Sequence, residues 1–549
     1  MADDKLQDDD LVKAHLRNHE RLAGERAPYE STWREIDERV DPEGQGAFGG
    51  GKTDGVRSER NFDVTASEGL ERFQAAMASI TVPRATQYIR LKFADENLNK
   101  QMSVRRWCER TADRLYAIRY AGHTGFETQA GADFRQLGKY GTGLIWTGVR
   151  PGVGLFYKAL HLSECYIDED YAGMVDTVQR KYERDVRQIE QEFGRDALTP
   201  KMRKAFDGNK LNERFQLLHI VCPNGDLQPG AMDRRGMPVD SITIAVDEKM
   251  VLRRKGFRSM PIATSRHVTG PCDKYGRSPA VKVLPSIRGL NTMKRTILRA
   301  AHKQADPALA FYDDDGITSI VTRPGGANPG LVDESGRVLV ARMPGGDGNL
   351  PIGMEMIEQD RQVVRTAFLE DYFKLLTDEK VQRSAQAVLE IAAKQGVLVA
   401  PYAGRYETEK QNPMTQRDLE LSMMAGQIEP FPPEVTEAGA YPMIEYDNPL
   451  NRMARSQEAA GLTRLIETLT PMAQSDPSVF DVINTDEAAT GVADVLGVRP
   501  SWLRSRDEIA AVRKKRAEDE AVAAGVDQLA TVASAYQDIA KGNQIAEAI

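Results

Sequence analysis

Hydrophobic positions recur at intervals of three and four residues near the start of the chain, which is typical of helices with one buried face. This pattern predicts helices over Tyr29–Val40 and Ser103–Tyr120. Another helix begins at Thr65-Ala-Ser-Glu68, which has the form of a capping box. The first part of the chain is therefore expected to be helical.

The middle of the chain alternates short β-like runs with two short helical patterns, at Arg187–Phe193 and Lys201–Asp207. The β-like runs are Gly143–Gly148, Leu155–Leu160, Val175–Tyr182, Leu217–Val221, Ile242–Val246 and Ala263–Val268. Together they predict an α/β or α+β body.

The region from Arg277 to Lys380 has a different pattern. Helical runs at Val283–Asp306 and Met354–Leu376 bracket a segment, Pro307–Pro351, that contains eight glycines. Within this insert, short strands are predicted at Ala308–Tyr312, Ile317–Thr322 and Arg337–Arg342. The pattern favours a two-helix shaft with a small β tip, and the alternative is an ordinary helical hairpin with an inserted subdomain.

The two helices of this shaft differ in charge. The first carries the cations Arg288, Lys294, Arg295, Arg299 and Lys303. The second carries the acids Glu355, Glu358, Asp360, Glu370 and Asp371, with Arg361, Arg365 and Lys374. The basic stripe could contact phosphate, but we favour its pairing with the acidic helix.

Helical patterns continue towards the C-terminus. Helices are predicted at Ser384–Gln395 and Gln411–Ala425, and the apolar stretch Gly396–Gly404, which contains Pro401, separates them. Further helices are expected at Gly461–Met472 and Glu487–Leu496. From Arg506 onwards an apolar stripe predicts a helix that needs a partner.

Composition limits the function classes. The length of 549 residues predicts two to four domains. The net charge of −8 argues against a general nucleic-acid binder. No secretory signal pattern and no apolar run of membrane-spanning length is present. Four dispersed cysteines favour reduced thiols in a cytoplasmic protein over a disulfide framework or a zinc site.

A phosphate-binding P-loop pattern occurs at Gly46–Thr53, and Ile242–Glu248 has the form of a Walker B strand. A P-loop must follow a buried strand, whereas a predicted helix precedes Gly46. The sequence after Thr53 has no apolar helical stripe. We therefore expect a glycine-rich loop and a turn after a strand, with a P-loop ATPase as the alternative.

Candidate catalytic and metal-binding residues are few. His15 and His19 have metal-ligand spacing on a helix, but no third ligand is near, so we expect solvated helix surface. The carboxylate pairs Asp168–Asp170 and Asp313–Asp315 are read as loop surface. We predict no catalytic residue, no metal, no cofactor and no enzyme activity.

Several short stretches occur in a characteristic order between about Tyr29 and Arg516. They are Tyr29–Pro42, Asp63–Ala66, Tyr140–Gly143, Tyr166–Asp170, Gly276–Asn291 with Asp306-Pro307, Arg417–Gly426, and Ile483–Asp486 with Gly497-Val498. In order and spacing they resemble the head-to-tail connecting, or portal, proteins of podovirus-type bacteriophages. The interruption of the helix at Pro401 departs from the family pattern.

This resemblance implies a dodecameric ring at one capsid vertex through which double-stranded DNA is packaged and ejected. Its partners would be the major capsid protein, the terminase motor and a tail adaptor protein, with no membrane. The protein would lie in the virion and, during assembly, in the host cytoplasm. A monomeric helical scaffold or adaptor remains an alternative beside the P-loop ATPase.

The resemblance also implies a mainly helical α+β portal fold. Its parts would be an N-terminal segment (1–62), a wing (63–276), a first stem helix (277–306), a clip (307–351), a second stem helix (352–376), a channel loop (377–383), a wing return with a kinked helix (384–500) and a helical crown (501–549).

In such a ring, we expect the acidic helix to line the channel and the basic helix to pack outside it. The candidate residues near DNA are Glu355, Glu358, Glu370, Lys374, Lys380 and Arg383. Lys380 and Arg383, in the predicted channel loop, are candidates for transient phosphate contact.

Overall fold

The computed structural model describes most of the first 447 residues and shorter parts of the rest. The described residues are 2–42, 48, 61–305, 309–311, 335, 340–342, 350–370, 401–447, 461, 464–466, 468–471, 484–495, 502–504 and 508–519. They combine helices with mainly antiparallel sheets, in agreement with the α+β prediction. No described helix is long and apolar enough to span a membrane.

The chain divides into two compact units. The larger contains Met1–Tyr88, Arg114–Ile428 and Tyr446–Met453, and the smaller contains Ile89–Asp113, Glu429–Glu445 and Ala454–Ile549.

The helices, in chain order, are α1 (Ala2–Arg39), α2 (Thr65–Thr81), α3 (Glu96–Lys100), α4 (Met102–Arg119), α5 (Phe126–Tyr140), α6 (Val186–Phe193), α7 (Pro200–Asp207), α8 (Pro279–Ala305), α9 (Leu350–Ala367), α10 (Asn412–Met424), α11 (Pro433–Ala438) and α12 (Thr485–Val495). A π-helical turn, Glu407–Gln411, directly precedes α10. Helix is also described at 464–466, 468–471 and 508–519, within predicted helical segments.

The strands are β1 (Ile89–Lys92), β2 (Thr142–Arg150), β3 (Gly154–Leu160), β4 (Cys165–Glu169), β5 (Val175–Asp185), β6 (Arg214–Pro223), β7 (Val239–Ala245), β8 (Met250–Phe257), β9 (Ile262–Arg266), β10 (Leu309–Phe311), β11 (Val340–Arg342) and β12 (Met443–Tyr446). They form sheets in the orders β4-β5-β6-β7-β8, β3-β2-β9, β1-β12 and β10-β11.

The five-stranded sheet is antiparallel throughout and has helices on both faces. Val12 of α1 packs on one face against Leu218 and Ile242. The short helices α6 and α7 cover the other face through Ile189 and Met202. Strands buried between helices can be apolar on both faces, as Leu217–Val221 and Ile242–Ala245 are.

Two expectations about the first helices were wrong. The capping box at Thr65–Glu68 does not form, because the carboxylate of Asp63 accepts the backbone N–H of Thr65 at 3.0 Å instead. His19 is buried rather than solvated: its Nδ1 lies 3.1 Å from Gln179 Oε1, and its ring meets Tyr166 edge to face. Helix α1 crosses the sheet at this point, which the local pattern around His19 could not indicate.

Candidate functional site: the charged helical hairpin

Helices α8 and α9 pack side by side and run in opposite directions. A Cβ added at Gly353 of α9 would lie 3.0 Å from Ile297 of α8, and one added at Gly289 of α8 would lie 3.7 Å from Asp360 of α9. In the direction from the body to the insert, residue numbers thus increase along α8 and decrease along α9. The absence of a side chain at Gly353 lets the two helices approach closely. The helix predicted at Val283–Asp306 is confirmed, with an earlier start at Pro279. The helix predicted at Met354–Leu376 is confirmed in part: α9 runs from Leu350 to Ala367, a turn follows at Phe368 and Leu369, and residues 371–376 lie outside the described residues.

The insert at the far end of the hairpin contains a short antiparallel strand pair. Leu309 pairs with Arg342, Ala310 with Ala341 and Phe311 with Val340. These strands fall within the predicted runs Ala308–Tyr312 and Arg337–Arg342. The third predicted strand, Ile317–Thr322, lies outside the described residues.

The near end of the hairpin docks on helix α2. Phe368, just after α9, is fully buried, and its ring packs edge to face on Phe73 at 6.4 Å between centroids. A Cβ at Gly69 would come within 2.8 Å of the Phe368 ring. The Phe368 ring can therefore pack against α2 because residue 69 is a glycine.

Asp63 connects both helices of the hairpin to the body. One of its oxygens accepts the Thr65 N–H, and the other accepts Arg361 Nη2 of α9 at 2.8 Å and lies 3.5 Å from Lys294 Nζ of α8. Burial disfavours the charged carboxylate, but the hydrogen bonds from Thr65 and Arg361 hold the pKa of Asp63 below its ordinary value. A single carboxylate thus binds a cation from each helix. Asn291 of α8 fixes its position by accepting the backbone N–H of Phe62 and of Asp63.

A second ion pair joins α8 to α1. Arg288 donates to the Glu35 carboxylate, with Nε 2.7 Å from Oε1. The hydrogen bond from Arg288 lowers the pKa of Glu35 despite partial burial. Arg288 and Lys294 are therefore neutralised inside the subunit. Their partners are Glu35 and Asp63, which lie outside α9.

The acids predicted to line a channel divide into two classes. Glu355 and Glu358 are exposed on α9, and Glu358 pairs with Arg365 at 2.7 Å and with Arg361 at 3.3 Å. Hydrogen bonds from these two arginines lower the pKa of Glu358. Glu370 is only 5% exposed and pairs with Arg72, so its carboxylate lies within the subunit rather than on an open surface. Lys374, Lys380 and Arg383 lie outside the described residues.

The far half of the hairpin carries exposed charges. Arg295, Arg299 and Glu355 are exposed, and none of them has an ion pair with a described residue. Leu298 and Met354 beside them are also exposed, at 41% and 65%. An apolar and charged surface of this kind is available for contacts outside the subunit.

The nucleotide-site motifs have structural roles where they are described. Ile242–Ala245 lies in β7 of an antiparallel sheet, not in the parallel core of a P-loop NTPase. Glu248 accepts hydrogen bonds from the Thr199 hydroxyl and the Lys201 N–H, which places its carboxylate at the N-terminus of α7. Of Gly46–Thr53 only Phe48 is described, and its ring packs on Trp33 and Tyr140.

No group of three or more His, Cys, Asp or Glu residues in the described ranges could hold a metal ion. The residues that sequence reasoning missed are Asp63, Asn291 and Gly353. An Asp two residues before a helix is a recognisable capping signal in the sequence, but the cations that Asp63 binds are more than two hundred residues away.

Comparison with known proteins shows which sequences this chain resembles. The family model for the bacteriophage head to tail connecting protein matches residues 13–503. The chain is 25% identical over 514 residues to a probable portal protein of Bordetella phage BPP-1, aligned over 91% of this chain and 90% of the relative. It is 23% identical over 519 residues to a portal protein of Salmonella phage epsilon15, with the same coverage. Among solved structures, a chain from the neck of an empty gene transfer agent particle aligns with 75% of this chain and 90% of its own length, at 14% identity and a TM-score of 0.33.

The family model spans most of the sequence, and two phage portal proteins align along nine-tenths of it. This chain therefore belongs to the bacteriophage head to tail connecting protein family.

Proposed function

We propose that copies of this head-to-tail connector subunit close into a dodecameric ring at one vertex of the capsid. Double-stranded DNA passes through the channel of this ring when it is packaged and when it is ejected. The protein acts as a structural component of the virion and carries no catalytic site of its own. Membership of the connector family and the names of its phage relatives support this proposal.

One structural observation supports the assignment of the channel. The two-helix hairpin has exposed acids on one helix and exposed cations on the other, and described residues anchor its near end to the body. Asp63 and Phe368 hold the near end, while Glu355 and Glu358 remain exposed on α9. In the proposed ring, α9 faces the channel and α8 packs outside it. A negative lumen repels DNA phosphates, and this prevents the salt-sensitive binding that each fixed Lys or Arg contact would add.

Glu370 is left out of the proposed lining because it is buried against Arg72. Residues 377–383 remain the proposed channel loop, in which Lys380 and Arg383 would make transient phosphate contacts. The insert around β10 and β11 is the proposed clip. A pair of three-residue strands is not stable alone, so we expect it to be completed by a neighbouring subunit or a tail adaptor.

The remaining partners follow from a position between head and tail. The major capsid protein would contact the outside of the ring, and the terminase motor would dock during packaging in the host cytoplasm. These contacts are proposed for the assembled ring rather than for the single subunit.

Electron microscopy of the purified protein tests the ring directly. Closed rings with a central hole are expected, and a population of monomers under all assembly conditions would contradict the proposal. A ring reconstruction in which Arg295 and Arg299 point into the lumen, with Glu358 outside, would overturn the assignment of the two helices.

A charge reversal tests the negative lumen. In rings of the Glu358→Lys variant, DNA within the channel should bind more tightly at low salt, and the difference should disappear at high salt. Glu213→Lys is the matched control, because Glu213 is exposed on the body, away from the hairpin. Equal DNA retention by both variants would show that position 358 does not face DNA.

A further inference from the structure

A row of polar residues crosses the face of the five-stranded sheet that α6 and α7 cover in part. Arg180 of β5 lies directly opposite His219 of β6. His219 lies opposite Thr243 of β7, which in turn lies opposite Arg253 of β8. Residues paired in this way project from the same face of a sheet. Burial lowers the pKa of His219 to about 3, so the charges of the row at neutral pH are those of its two arginines.

Strands β2 and β3 bring a lysine to this row. Trp146 of β2 and Lys158 of β3 are direct partners, so their side chains share one face of the three-stranded sheet. The ring of Trp146 meets that of His219 edge to face, with 5.4 Å between centroids, so this shared face packs on the row. Lys158 is half-buried there, between the two sheets.

The basic side chains around this row outnumber the acids that pair with them. They form what we call the cationic cluster: Lys158, Arg180, Arg184 and Arg253. Glu164 pairs with Arg180 at 2.8 Å, and Glu192 pairs with Arg253 at 3.7 Å. The other two members of the cluster have no ion pair with any described residue. Four cations and two acids leave two positive charges without a carboxylate.

The surroundings of Lys158 disfavour its charge. Burial lowers the pKa of its ammonium group, and the charges of Arg180 and Arg184 lower it further, while the two acids of the cluster oppose the shift. An anion bound against the lysine would reverse these effects, because it supplies the missing opposite charge. The position therefore has the properties of a ligand-binding residue rather than of a solvated surface lysine.

A common aromatic ring holds the guanidinium groups of Arg180 and Arg184. Their Cζ atoms lie 4.3 and 5.2 Å from the centre of the Tyr182 ring. Arg180 also binds Glu164, whereas Arg184 binds no acid among the described residues. A planar guanidinium group and a neighbouring ammonium group together suit the oxygens of a phosphate.

We propose that the cationic cluster binds a phosphate group, with Lys158 and Arg184 as its direct ligands. Two unpaired positive charges match the charge of a phosphate dianion, and partial burial strengthens the attraction relative to open solvent. A free phosphate ion and a phosphate of a nucleic acid present the same oxygens. The free ion is the better fit, because the Arg180 side chain is only 13% exposed and a duplex backbone needs an open surface. The site lies within one subunit, so the inference does not depend on the proposed ring.

Three variants test the site. Lys158→Met keeps the length of the side chain and removes its charge. Lys181→Met is the matched control, because Lys181 is a half-buried lysine of β5 that lies on the opposite face from Arg180, near His19. Arg184→Gln removes the second proposed ligand and should act like Lys158→Met.

Binding is measured by titration of sodium phosphate into the purified chain at constant ionic strength, with chloride as the replaced anion. Calorimetry follows it directly, and thermal unfolding follows it through the midpoint, which a ligand of the native state raises. We expect saturable binding by the wild type and by Lys181→Met, with affinities within about twofold of each other because a charge on the far face is screened. Lys158→Met and Arg184→Gln should each weaken binding roughly tenfold or more, since each loses a charge-assisted contact to the ion.

Trp146 gives a signal from the site itself, because it is the cross-strand partner of Lys158. Tryptophan fluorescence should change over the same range of phosphate concentration as the heat of binding. Trp146→Phe should lose this change. Constant fluorescence of the wild type at saturating phosphate would place the ion elsewhere on the protein and contradict the proposal.

A DNA duplex, titrated in parallel, identifies the source of the phosphate group. If the free ion is the ligand, the duplex does not displace it from the wild type. Displacement that Lys158→Met abolishes would keep the site and assign it to nucleic-acid phosphates.

Stability in the absence of phosphate separates a ligand from a structural residue. Lys158→Met should then be as stable as the wild type or more stable, because it removes a half-buried charge that has no partner among the described residues. Three results would overturn the proposal: no saturable phosphate effect in the wild type, equal weakening by Lys181→Met and Lys158→Met, or a lower unfolding midpoint of Lys158→Met without phosphate.

Discussion

Charged residues are used differently in the body of the subunit and in the hairpin. In the body, Lys410 and Asp133 are both fully buried, with Nζ 2.5 Å from Oδ1. Arg119 and Asp418 are buried at a distance of 2.6 Å. In the far half of the hairpin, Arg295 and Glu355 are exposed and unpaired within the described chain. Buried charges must be paired inside one fold, whereas exposed charges can remain available for contacts between copies.

The body achieves this pairing with an irregular turn. The π-helix Glu407–Gln411 brings three consecutive polar side chains into the interior. Glu409 binds Arg266 of β9, Lys410 binds Asp133 of α5, and Gln411 donates to the Thr81 carbonyl at the end of α2. Consecutive residues of a regular α-helix are spread about 100° apart, so a widened turn helps to direct all three inward.

The Asp133–Lys410 pair gives the largest expected effect. Burial raises the pKa of Asp133 and lowers that of Lys410, because each charge loses its water, and the charge of the partner opposes both shifts. Asp133→Ala leaves the lysine without a carboxylate and should lower the free energy of unfolding by about 3–5 kcal/mol. Urea unfolding of the subunit, followed by circular dichroism, measures this.

The matched control is the exposed pair Arg110–Glu429, where Glu429→Ala should cost less than about 1 kcal/mol. A double variant, Asp133→Leu with Lys410→Met, should recover most of the lost stability because it buries no charge. Equal losses in Asp133→Ala and Glu429→Ala would remove the distinction between the two regions.

His267 gives the next effect, through pH. Its ring stacks on Tyr402 at 4.4 Å and meets Phe73 edge to face, and burial lowers its pKa to about 4. The unfolded chain binds the proton near pH 6.5, so between pH 6.5 and about 4 the unfolded state holds more protons. Stability is therefore full above that window and falls with decreasing pH, by about 1.4 kcal/mol per pH unit for this residue.

Replacement of His267 by Phe should reduce the acid-side slope of unfolding free energy against pH by about that amount. The slope does not vanish, because buried His219, with a pKa lowered to about 3, contributes in the same direction. His302→Phe is the control at an exposed position. If the unfolding free energy of His267→Phe depends on pH as steeply as that of the wild type, the folded state does not lower the pKa of His267.

Asp63 lies between the two regions and should have an intermediate effect. Asp63→Ala removes the acceptor for the Thr65 N–H and the partner of Arg361 and Lys294, so we expect a loss of about 1–3 kcal/mol. Limited proteolysis and urea unfolding together measure this. Asp63→Asn keeps an oxygen for Thr65 and should fall between the wild type and Asp63→Ala; if Asn is as damaging as Ala, the N-terminal cap contributes nothing.

The smallest effect on the subunit is expected at Glu358. Its bonds to Arg361 and Arg365 are solvent-exposed, so Glu358→Gln should change the free energy of unfolding by less than about 1 kcal/mol. The same urea titration measures this at low and high salt. A loss comparable to that of Asp133→Ala would show that hairpin charges, like those of the body, stabilise the single subunit.

The sequence was sufficient for the elements with strong periodicity. Helices α4, α6, α7 and α8, the central strands β5, β6 and β7, and the strand pair of the insert lie where spacing predicted them. Within the five-stranded sheet, the pattern missed β4 and β8, which are the two edges of that sheet. An edge strand has one neighbour and accepts more polar residues, so Cys165–Glu169 and Met250–Phe257 have weak apolar alternation.

The amino-acid sequence by itself determined the order of the strongly periodic helices and strands and the opposite charge bias of the two hairpin helices. It also determined the helix before Gly46 that argues against a P-loop, and the resemblance to connector proteins. These depend on residues that are near in sequence or on a pattern shared with a family. The tertiary structure alone decided that Asp63 binds cations of both helices, that His19 and Glu370 are buried, and that Lys410 meets Asp133 across 277 residues. Burial and ion pairing depend on which distant elements come together, and local spacing carries no information about that.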